Sequence, residues 1–148
     1  RRGGGAVRWS KLARDFQALV VEGLDARLRC SIVRMASERG STNLPRYYVT
    51  LGKKVVWDYP GSFAVPGYPY ETDVSTISQL VRDYLNAPVP QRVSGSFIED
   101  FWGLVNVLRA MDRRTGRRRL EQLLRETQAE GTRELLQARL ALGRTRGS

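Results

Sequence analysis

The feature that most constrains the fold is the stretch RYYVTLGKKVVWDYP, residues 46–60, because it has the pattern of a β-hairpin. Runs rich in β-branched and aromatic residues flank Gly52-Lys53, and a glycine at the first central position of a two-residue loop is typical of a type II′ turn. The pattern predicts strands at 46–51 and 54–59. An isolated hairpin is only marginally stable in water, so the chain needs a third strand or a packed helix beside it.

The run before the hairpin, residues 24–38, fits two interpretations. Leu28, Cys30 and Ile32 alternate with polar residues as in a strand, whereas a helical spacing connects Leu24 with Met35. Because the hairpin needs a third strand, the strand is the preferred interpretation. A loop is expected to follow it.

Helices are predicted on both sides of this sheet. Ser10 as N-cap and Gly23 as stop signal bound a helix near 10–22. A glycine- and proline-rich irregular segment follows the hairpin, and Asp73 then caps an amphipathic helix at 74–86.

The remainder of the chain is predicted to be helical after a short boundary segment without periodicity. Residues 86–96 combine proline, glycine and serine and form the candidate boundary between two regions. Ser96 and Glu99 form a capping box for a helix at 97–111, which is apolar nearly all round. Two shorter helices are predicted after it, separated by Gly131-Thr132, at 118–129 and 132–142.

These elements predict an α+β fold, in which a small antiparallel sheet containing the hairpin at 46–59 packs on helices and is followed by a helical C-terminal half. Three regions are expected along the chain. Residues 1–9 form a flexible basic arm, and residues 10–88 form the α+β domain. Residues 96–143 form three helices that pack on this domain or on a second subunit.

Net charge is the strongest functional signal in the composition. The chain carries 25 lysine and arginine residues against 15 aspartate and glutamate residues, a formal net charge of +10 at pH 7. Only Lys11, Lys53 and Lys54 are lysines, so arginine supplies most of the positive charge. Guanidinium groups bind phosphates bidentately, and the excess therefore indicates nucleic acid or another polyanion as a partner. Biased codon use would explain the choice of arginine over lysine, but not the excess of bases.

The absence of several residue types and motifs from the sequence argues against an enzyme. The sequence has no histidine, which removes Ser-His-Asp and Cys-His catalysis and every zinc site that contains histidine. Neither GxxxxGKS/T nor a GxGxxG after a strand is present, so the usual nucleotide cradles are absent. We therefore expect a non-enzymatic protein that needs no cofactor and no metal.

The single cysteine indicates the cellular compartment of the protein. Cys30 has no partner for an intrachain disulfide, which fits a reducing environment. No apolar run approaches the roughly 20 residues that span a bilayer, and the basic N-terminus lacks the apolar segment of a secretory signal. The sequence predicts a cytoplasmic protein with no membrane partner; a nucleus or an organelle matrix is also compatible.

The hairpin offers the first candidate binding surface. Simple alternation from the turn places the aliphatic residues on one face and aromatic residues with an arginine on the other. If the aliphatic face is the buried one, the aromatic face is left to stack on bases beside phosphate-binding cations. The alternative is that helices cover both faces, and a one-residue shift in register would regroup them. The predicted site residues are Arg46, Tyr48, Lys53, Lys54, Trp57 and Tyr59.

The second candidate surface is the run RRTGRRR at a helix junction. Five arginines there repel one another unless an anion or acidic neighbours compensate, and a helix that starts near Arg117 adds free N–H donors for a phosphate. A solvated turn with salt bridges is an equally good interpretation. The predicted site residues are Arg113, Arg114, Arg117, Arg118 and Arg119.

Two hypotheses about function follow. In the first, the chain is a small basic accessory protein that binds nucleic acid, single-stranded DNA or RNA in preference to duplex. In the second, it is a protein-interaction or assembly module that oligomerises through its C-terminal helices, and its basicity is incidental. A homodimer is expected because helix 97–111 presents more apolar surface than one neighbour can cover.

Overall fold

The chain folds into an α+β structure. The computed structural model describes residues 9–37, 40–59, 75–98, 100 and 102–147. Within these ranges the chain forms a three-stranded antiparallel sheet and six helices, most of them in the C-terminal half, which confirms the predicted fold class. The elements are α1 (Trp9–Gln17), β1 (Ala26–Ser37), β2 (Gly40–Leu51), β3 (Lys54–Tyr59), α2 (Ser75–Asn86), α3 (Val89–Ser94), α4 (Leu104–Met111), α5 (Arg117–Glu126) and α6 (Glu130–Gly147).

The sheet has the strand order β1-β2-β3, and β1 confirms the strand interpretation of residues 24–38. The loop expected after it at 38–45 is wrong, because β2 begins at Gly40, which pairs with Ser37. The two strands pair along their whole length, so residues with weak strand propensity are held by the ladder of their neighbour. Residues 38 and 39 lie outside the described residues.

The predicted hairpin strands at 46–51 and 54–59 are confirmed. Leu51 pairs with Lys54 across the turn, as the sequence predicts. Gly52 has a φ of +61°, in the left-handed region that a primed hairpin turn requires at this position. The turn chemistry of the sequence therefore fixes the start of the register.

A β-bulge shifts the register two residues beyond the turn. Thr50 pairs with Val55, but Val49 pairs with Trp57, so Val56 is the extra residue on β3. At this point the N-terminal turn of α6 comes so close that a side-chain carbon at Gly131 would overlap the carbonyl oxygen of Val56. The bulge lies where β3 meets the helix.

The bulge reverses the predicted faces of β3. The prediction that Trp57 and Tyr59 lie on the same face as Tyr48 is wrong, because Tyr48 pairs with Asp58 and the two rings of β3 move to the opposite side. That opposite side, the inner face, packs on the helices. Its buried residues are Ala26, Leu28, Tyr47, Val49, Trp57 and Tyr59.

Helix α1 is shorter than predicted. It begins at Trp9, so Ser10 lies inside its first turn, and it ends at Gln17 well before the predicted end at residue 22. Beyond it, the backbone N–H of Val21 donates to the carbonyl of Met111 at 2.9 Å. The carbonyl of Leu19 likewise accepts from the backbone N–H of Arg113, so the chain after α1 bonds to the end of α4 and does not continue the helix. Of the predicted basic arm, only Trp9 is among the described residues.

Helix α2 agrees with the predicted helix at 74–86. The irregular segment expected after the hairpin and the cap at Asp73 lie outside the described residues. Residues 86–96, expected to have no periodicity, contain the short helix α3. Three backbone carbonyls of this segment accept hydrogen bonds from the Arg109 guanidinium, so the segment is tied to α4.

Helix α4 begins seven residues later than predicted. The N–H groups of its first turn face the Asp100 carboxylate, which accepts a hydrogen bond from Val105 at 3.4 Å. The capping box of Ser96 and Glu99 is therefore wrong, since it does not precede a helix, although Glu99 itself lies outside the described residues. Ile98 is 90% exposed, which is incompatible with the buried helix predicted there.

The apolar residues of α4 are covered within the chain. Val105, Val107, Leu108 and Met111 are at most 1% exposed, and α4 contacts α2, α5 and α6. The uncovered apolar surface from which a dimer was inferred is thus not present on this helix. The homodimer itself stays a prediction.

The last two helices meet at a different place from the predicted one. α5 ends at Glu126 and α6 begins at Glu130, so Gly131 is part of α6 and does not separate two helices. The glycine is required by the approach of Val56 described above, which leaves no room for a side chain. One buried apolar cluster extends from Leu12 to Leu140. Among the described residues, no helix is long and apolar enough to cross a membrane.

Candidate nucleic-acid interface

The side of the sheet that faces away from the helices carries a group of polar and basic residues. The register places Arg27 opposite Thr50, and Arg29 opposite Tyr48. It also places Tyr48 opposite Asp58. We call this side the outer face; its residues are Arg27, Arg29, Ser31, Arg46, Tyr48, Thr50 and Asp58.

Strand β1 contributes two cations that the sequence predictions missed. Ala26 and Leu28 are buried on the inner face, while Arg27 and Arg29 between them are exposed. The period of two along a strand causes this alternation. The same alternation is visible in the sequence, so these arginines could have been identified once the segment was taken as a strand.

Arg46 and Tyr48 lie together on the outer face. The Arg46 guanidinium lies 4.4 Å from the centre of the Tyr48 ring, a cation–π stack. It also donates two hydrogen bonds, at 2.8 and 2.9 Å, to the Asp58 carboxylate. This bidentate bond raises the pKa of Arg46 above its ordinary value. Tyr48 is thereby held in place, and Arg46 presents a flat cationic group beside it.

The two lysines of the turn are both exposed, but their surroundings differ. Lys54 donates to both oxygens of the Glu134 carboxylate on α6, at 2.6 and 2.8 Å. This hydrogen bond raises the pKa of Lys54. Within the described residues, no ion pair involves Lys53. Lys53 is therefore the more available of the two for a phosphate.

Trp57 and Tyr59 do not belong to this surface. They are 6% and 1% exposed, and the two rings stack on each other with centroids 6.4 Å apart on the inner face. The Trp57 indole N–H donates to the carbonyl of Trp102 at 2.8 Å. Both aromatics are core residues, and their predicted role in stacking on bases is contradicted by their burial.

The first arginines of the run RRTGRRR are engaged by the fold. Arg114 forms a bidentate pair with Asp112, with Nε and Nη2 at 2.9 and 2.7 Å from its two oxygens. Arg113 donates to the carbonyl of Ala18, at the end of α1. Both side chains hold the junction between α1, α4 and α5.

The arginines at the start of α5 are only partly engaged. Arg119 donates to the carbonyl of Val93 at 2.8 Å, and Arg117 lies 3.4 Å from Glu121 one turn on. Arg118 is exposed, and no ion pair to it is found within the described residues. The salt-bridged turn is thus the better interpretation for Arg114, Arg117 and Arg119, while Arg113 is held by a backbone carbonyl. The structure does not gather all five arginines around one point.

Three further arginines, which sequence reasoning missed, bind the carbonyl ends of helices. Arg139 donates to the carbonyls of Ala110 and Asp112 at the end of α4, at 2.9 and 2.8 Å. Arg109 donates in the same way to carbonyls at the end of α3, and Arg133 donates to a carbonyl near the end of α5. A helix end leaves its last carbonyls unsatisfied and partly negative, so a guanidinium stabilises it. These arginines are part of the structure and are not available to a ligand.

Asp112 is the acidic centre of the helical half. Its side chain is fully buried and accepts a 2.6 Å hydrogen bond from the Tyr84 hydroxyl, besides the pair with Arg114. Burial raises the pKa of Asp112, but the hydrogen bonds from Arg114 and Tyr84 outweigh it and hold the pKa below its ordinary value. Burial and the same hydrogen bond raise the pKa of Tyr84. The pair is therefore a carboxylate and a neutral phenol at neutral pH.

Comparison with known proteins gives one similarity. The model of the SF0329 protein family matches residues 68–140, a little under half of the chain. No curated protein and no solved structure matches the chain significantly. The matched range includes α2 to α5 and the first part of α6, together with Tyr84 and Asp112, whereas the outer face of the sheet precedes it. Over its helical half, the chain is similar to the SF0329 protein family.

Proposed function

We propose that the chain is a non-enzymatic accessory protein that binds nucleic acid, single strands in preference to duplex, through the outer face of the sheet. The observation that carries this proposal is the arrangement of Arg27, Arg29 and Arg46 around Tyr48 on a face turned away from the core. A strand lying across this face would meet guanidinium groups spaced along β1 and a stacked aromatic pair on β2.

Single strands are favoured because the central contact is a flat surface and not a protrusion. Aromatic rings and guanidinium planes stack on unpaired bases, which a duplex keeps inside its helix. Reading a duplex in its grooves typically needs a helix or a ribbon that enters them. The half-buried Tyr48 and its Arg46 partner fit the first mode.

We propose the cytoplasm as the location, because the sequence has a single cysteine and no intrachain disulfide can form, which fits a reducing compartment. The thiol is half-buried on the sheet, and burial raises its pKa. A thiol with a raised pKa stays protonated and reacts slowly with oxidants.

The proposal is tested by fluorescence anisotropy with labelled single-stranded DNA, RNA and duplex DNA over a range of salt concentrations. The variant Arg27→Ala/Arg29→Ala removes two phosphate contacts, and the slope of log affinity against log salt should fall by about 1.4 for a single strand. The matched control is Arg14→Ala/Arg125→Ala, which removes two exposed arginines away from the outer face.

The two double variants have the same net charge, so non-specific attraction is reduced equally in both. A loss of affinity and slope in the outer-face variant alone supports the proposal. Equal losses in both variants would show that total charge, and not this face, binds the strand.

A further inference from the structure

The Arg46 guanidinium is held on the outer face from two directions. Its Nε and Nη2 atoms donate to the two oxygens of Asp58, at 2.8 and 2.9 Å. Its Cζ atom lies 4.4 Å from the centre of the Tyr48 ring. The bidentate pair fixes the direction of the guanidinium plane, and the ring supports one of its faces. Arg46 therefore has little side-chain freedom left to lose when a ligand binds.

Part of this guanidinium is still available to a ligand. A guanidinium has five N–H donors, and the pair with Asp58 uses one on Nε and one on Nη2. One N–H of Nη1 and the second N–H of Nη2 lie parallel and point away from the carboxylate. Within the described ranges, no hydrogen bond from this second pair is found, and the Arg46 side chain is 33% exposed. We call these two parallel donors the Arg46 fork.

The charge around the fork favours a neutral ligand over a phosphate. The Arg46 guanidinium and the Asp58 carboxylate together have no net charge, and the carboxylate is held directly beside the guanidinium. A phosphate at the fork would be attracted by the one group and repelled by the other. The exposed Arg27 and Arg29 on β1 have no such carboxylate among the described residues, so they are the better phosphate contacts.

We infer that the Arg46 fork binds one base of the strand at an edge with two neighbouring acceptors, as guanine and cytosine have. The inference rests on the proposed function, since Arg27 and Arg29 must first hold the strand on this face. Guanine offers O6 and N7, the usual bidentate partners of an arginine. Cytosine offers O2 and N3 on its pairing edge, which an unpaired base leaves open. In adenine, thymine and uracil, a donor lies beside the acceptor and faces one arm of the fork.

Competition measurements of fluorescence anisotropy on the whole chain test this inference. Short unlabelled strands displace a labelled oligothymidylate at one salt concentration. The competitors are oligothymidylate itself and the same strand with one central adenine, guanine or cytosine. Two further strands carry 7-deazaguanine, which lacks the N7 acceptor, or 3-deazacytosine, which lacks the N3 acceptor. All of them have the same number of phosphates, so differences between them report on the base.

We expect a central guanine or cytosine to raise affinity about tenfold over thymine and adenine, the usual effect of one bidentate contact to a base. The matching deaza analogue should return affinity to that of oligothymidylate. A gain with guanine alone assigns O6 and N7 as the acceptors, and a gain with cytosine alone assigns O2 and N3. If every strand binds equally well, the inference is wrong and the proposed function stands. If no strand binds, both are rejected.

The variant Arg46→Lys tests the fork itself, because it keeps the positive charge and removes the paired donors. The preference for the matching base should disappear, while affinity for oligothymidylate stays nearly unchanged and shows that the face is intact. Arg14→Lys, at an exposed position of α1, is the matched control and should alter neither. A base preference that survives in Arg46→Lys would overturn the assignment.

Asp58 is the positioning residue of this contact, and Asp58→Asn tests that role. Without the carboxylate, Arg46 is free to turn towards a phosphate, so the base preference should fall. The slope of log affinity against log salt should rise by about 0.7, as for one more phosphate contact to a single strand. Damage to the hairpin would lower both quantities. Asp25→Asn, at an exposed aspartate, is the control. An unchanged base preference in Asp58→Asn would show that Asp58 does not position the fork.

Discussion

Arginines of the helical half and arginines of the sheet have different tasks in this molecule. In the helical half, Arg109, Arg133 and Arg139 point into the protein and bind the carbonyl ends of α3, α5 and α4. On the sheet, Arg27 and Arg29 point outward, while Ala26 and Leu28 beside them on β1 are buried. The first group satisfies backbone carbonyls. The second is exposed, and the contact found for it among the described residues is a 3.4 Å hydrogen bond from Arg29 Nε to the Thr50 hydroxyl.

This difference shows that the net charge of the chain is larger than the number of positive side chains that a negatively charged partner can contact. A guanidinium that binds two or three carbonyls still counts as a full positive charge, yet a phosphate cannot reach it without breaking those bonds. Arg109, Arg133 and Arg139 bind neutral carbonyls, and none of the three forms an ion pair within the part of the chain that the structure describes, so no acidic residue cancels them in the count. Part of the +10 charge of the chain is therefore structural.

The largest expected effect is on stability, at Arg139. Arg139→Met removes the donor from the carbonyls of Ala110 and Thr115, while the Asp112 carbonyl keeps its hydrogen bond from the backbone N–H of Thr115, and each buried unsatisfied group costs about 1–3 kcal/mol. The free energy of unfolding in urea should fall by about 3 kcal/mol or more. Arg125→Met, at an exposed position of α5, is the control and should change it little. If Arg139→Met changed the free energy of unfolding only slightly, the arginines of the helical half would not differ from those of the sheet in their role.

The next effect is pH-dependent and concerns Asp112. Its pKa is lower in the folded state than in the unfolded chain, so its stabilising contribution is complete above about pH 4 and is lost as the pH falls through the folded-state pKa. Asp112→Asn should lower the free energy of unfolding by about 2–3 kcal/mol at neutral pH.

The same variant should also flatten the loss of stability in acid, since the titrating group is gone. Urea unfolding followed from pH 7 to pH 2 measures both effects, with Asp25→Asn at an exposed position as control. An acid profile as steep as that of the unmodified chain would show that Asp112 is not the group that titrates.

A smaller effect, on affinity, separates the two faces of the hairpin. Tyr48→Ala should weaken binding of oligothymidylate by about 1–3 kcal/mol, the usual contribution of one stacked base, and leave the salt slope nearly unchanged. Trp57→Phe should leave this affinity unchanged and lower the melting temperature, because its indole N–H bond to Trp102 is lost from the core. If Trp57→Phe weakened binding and Tyr48→Ala did not, Trp57 would be the residue that stacks on bases.

The smallest effect compares the two neighbouring lysines of the turn. Lys53→Ala should reduce the salt slope by about one unit if its ammonium contacts a phosphate. Lys54→Ala should reduce it less, because the Lys54 ammonium is held by Glu134. Anisotropy titrations at several salt concentrations measure both, and equal slopes would mean that the ion pair opens when the strand binds.

The sequence predicts the turn of the hairpin but not its bulge. Gly52 encodes a local conformation, so its role is visible in the residues around it. The extra residue at Val56 lies where a glycine of α6, far along the chain, meets β3. A contact between distant segments leaves no periodic pattern, and the faces of the strand were therefore assigned incorrectly beyond it.

The residues of the candidate site likewise fall into those that the sequence predicts and those that it does not. Arg46, Tyr48 and Lys53 follow from the alternation near the turn, and Arg27 and Arg29 follow once β1 is taken as a strand. The arginines that bind helix ends could not be distinguished in sequence from solvated ones, since the carbonyls they bind belong to other helices. The five arginines of the run RRTGRRR, two before α5 and three at its start, were predicted to form a phosphate site for that reason.

Arginine-specific footprinting with phenylglyoxal, read by mass spectrometry with and without a single strand, tests the central claim most directly because it reports on each arginine separately. Arg27 and Arg29 should react in the free protein and be protected by the strand. Arg109 and Arg139 should be unreactive in both states. Protection centred on Arg117 and Arg118, with Arg27 and Arg29 unchanged, would contradict the account.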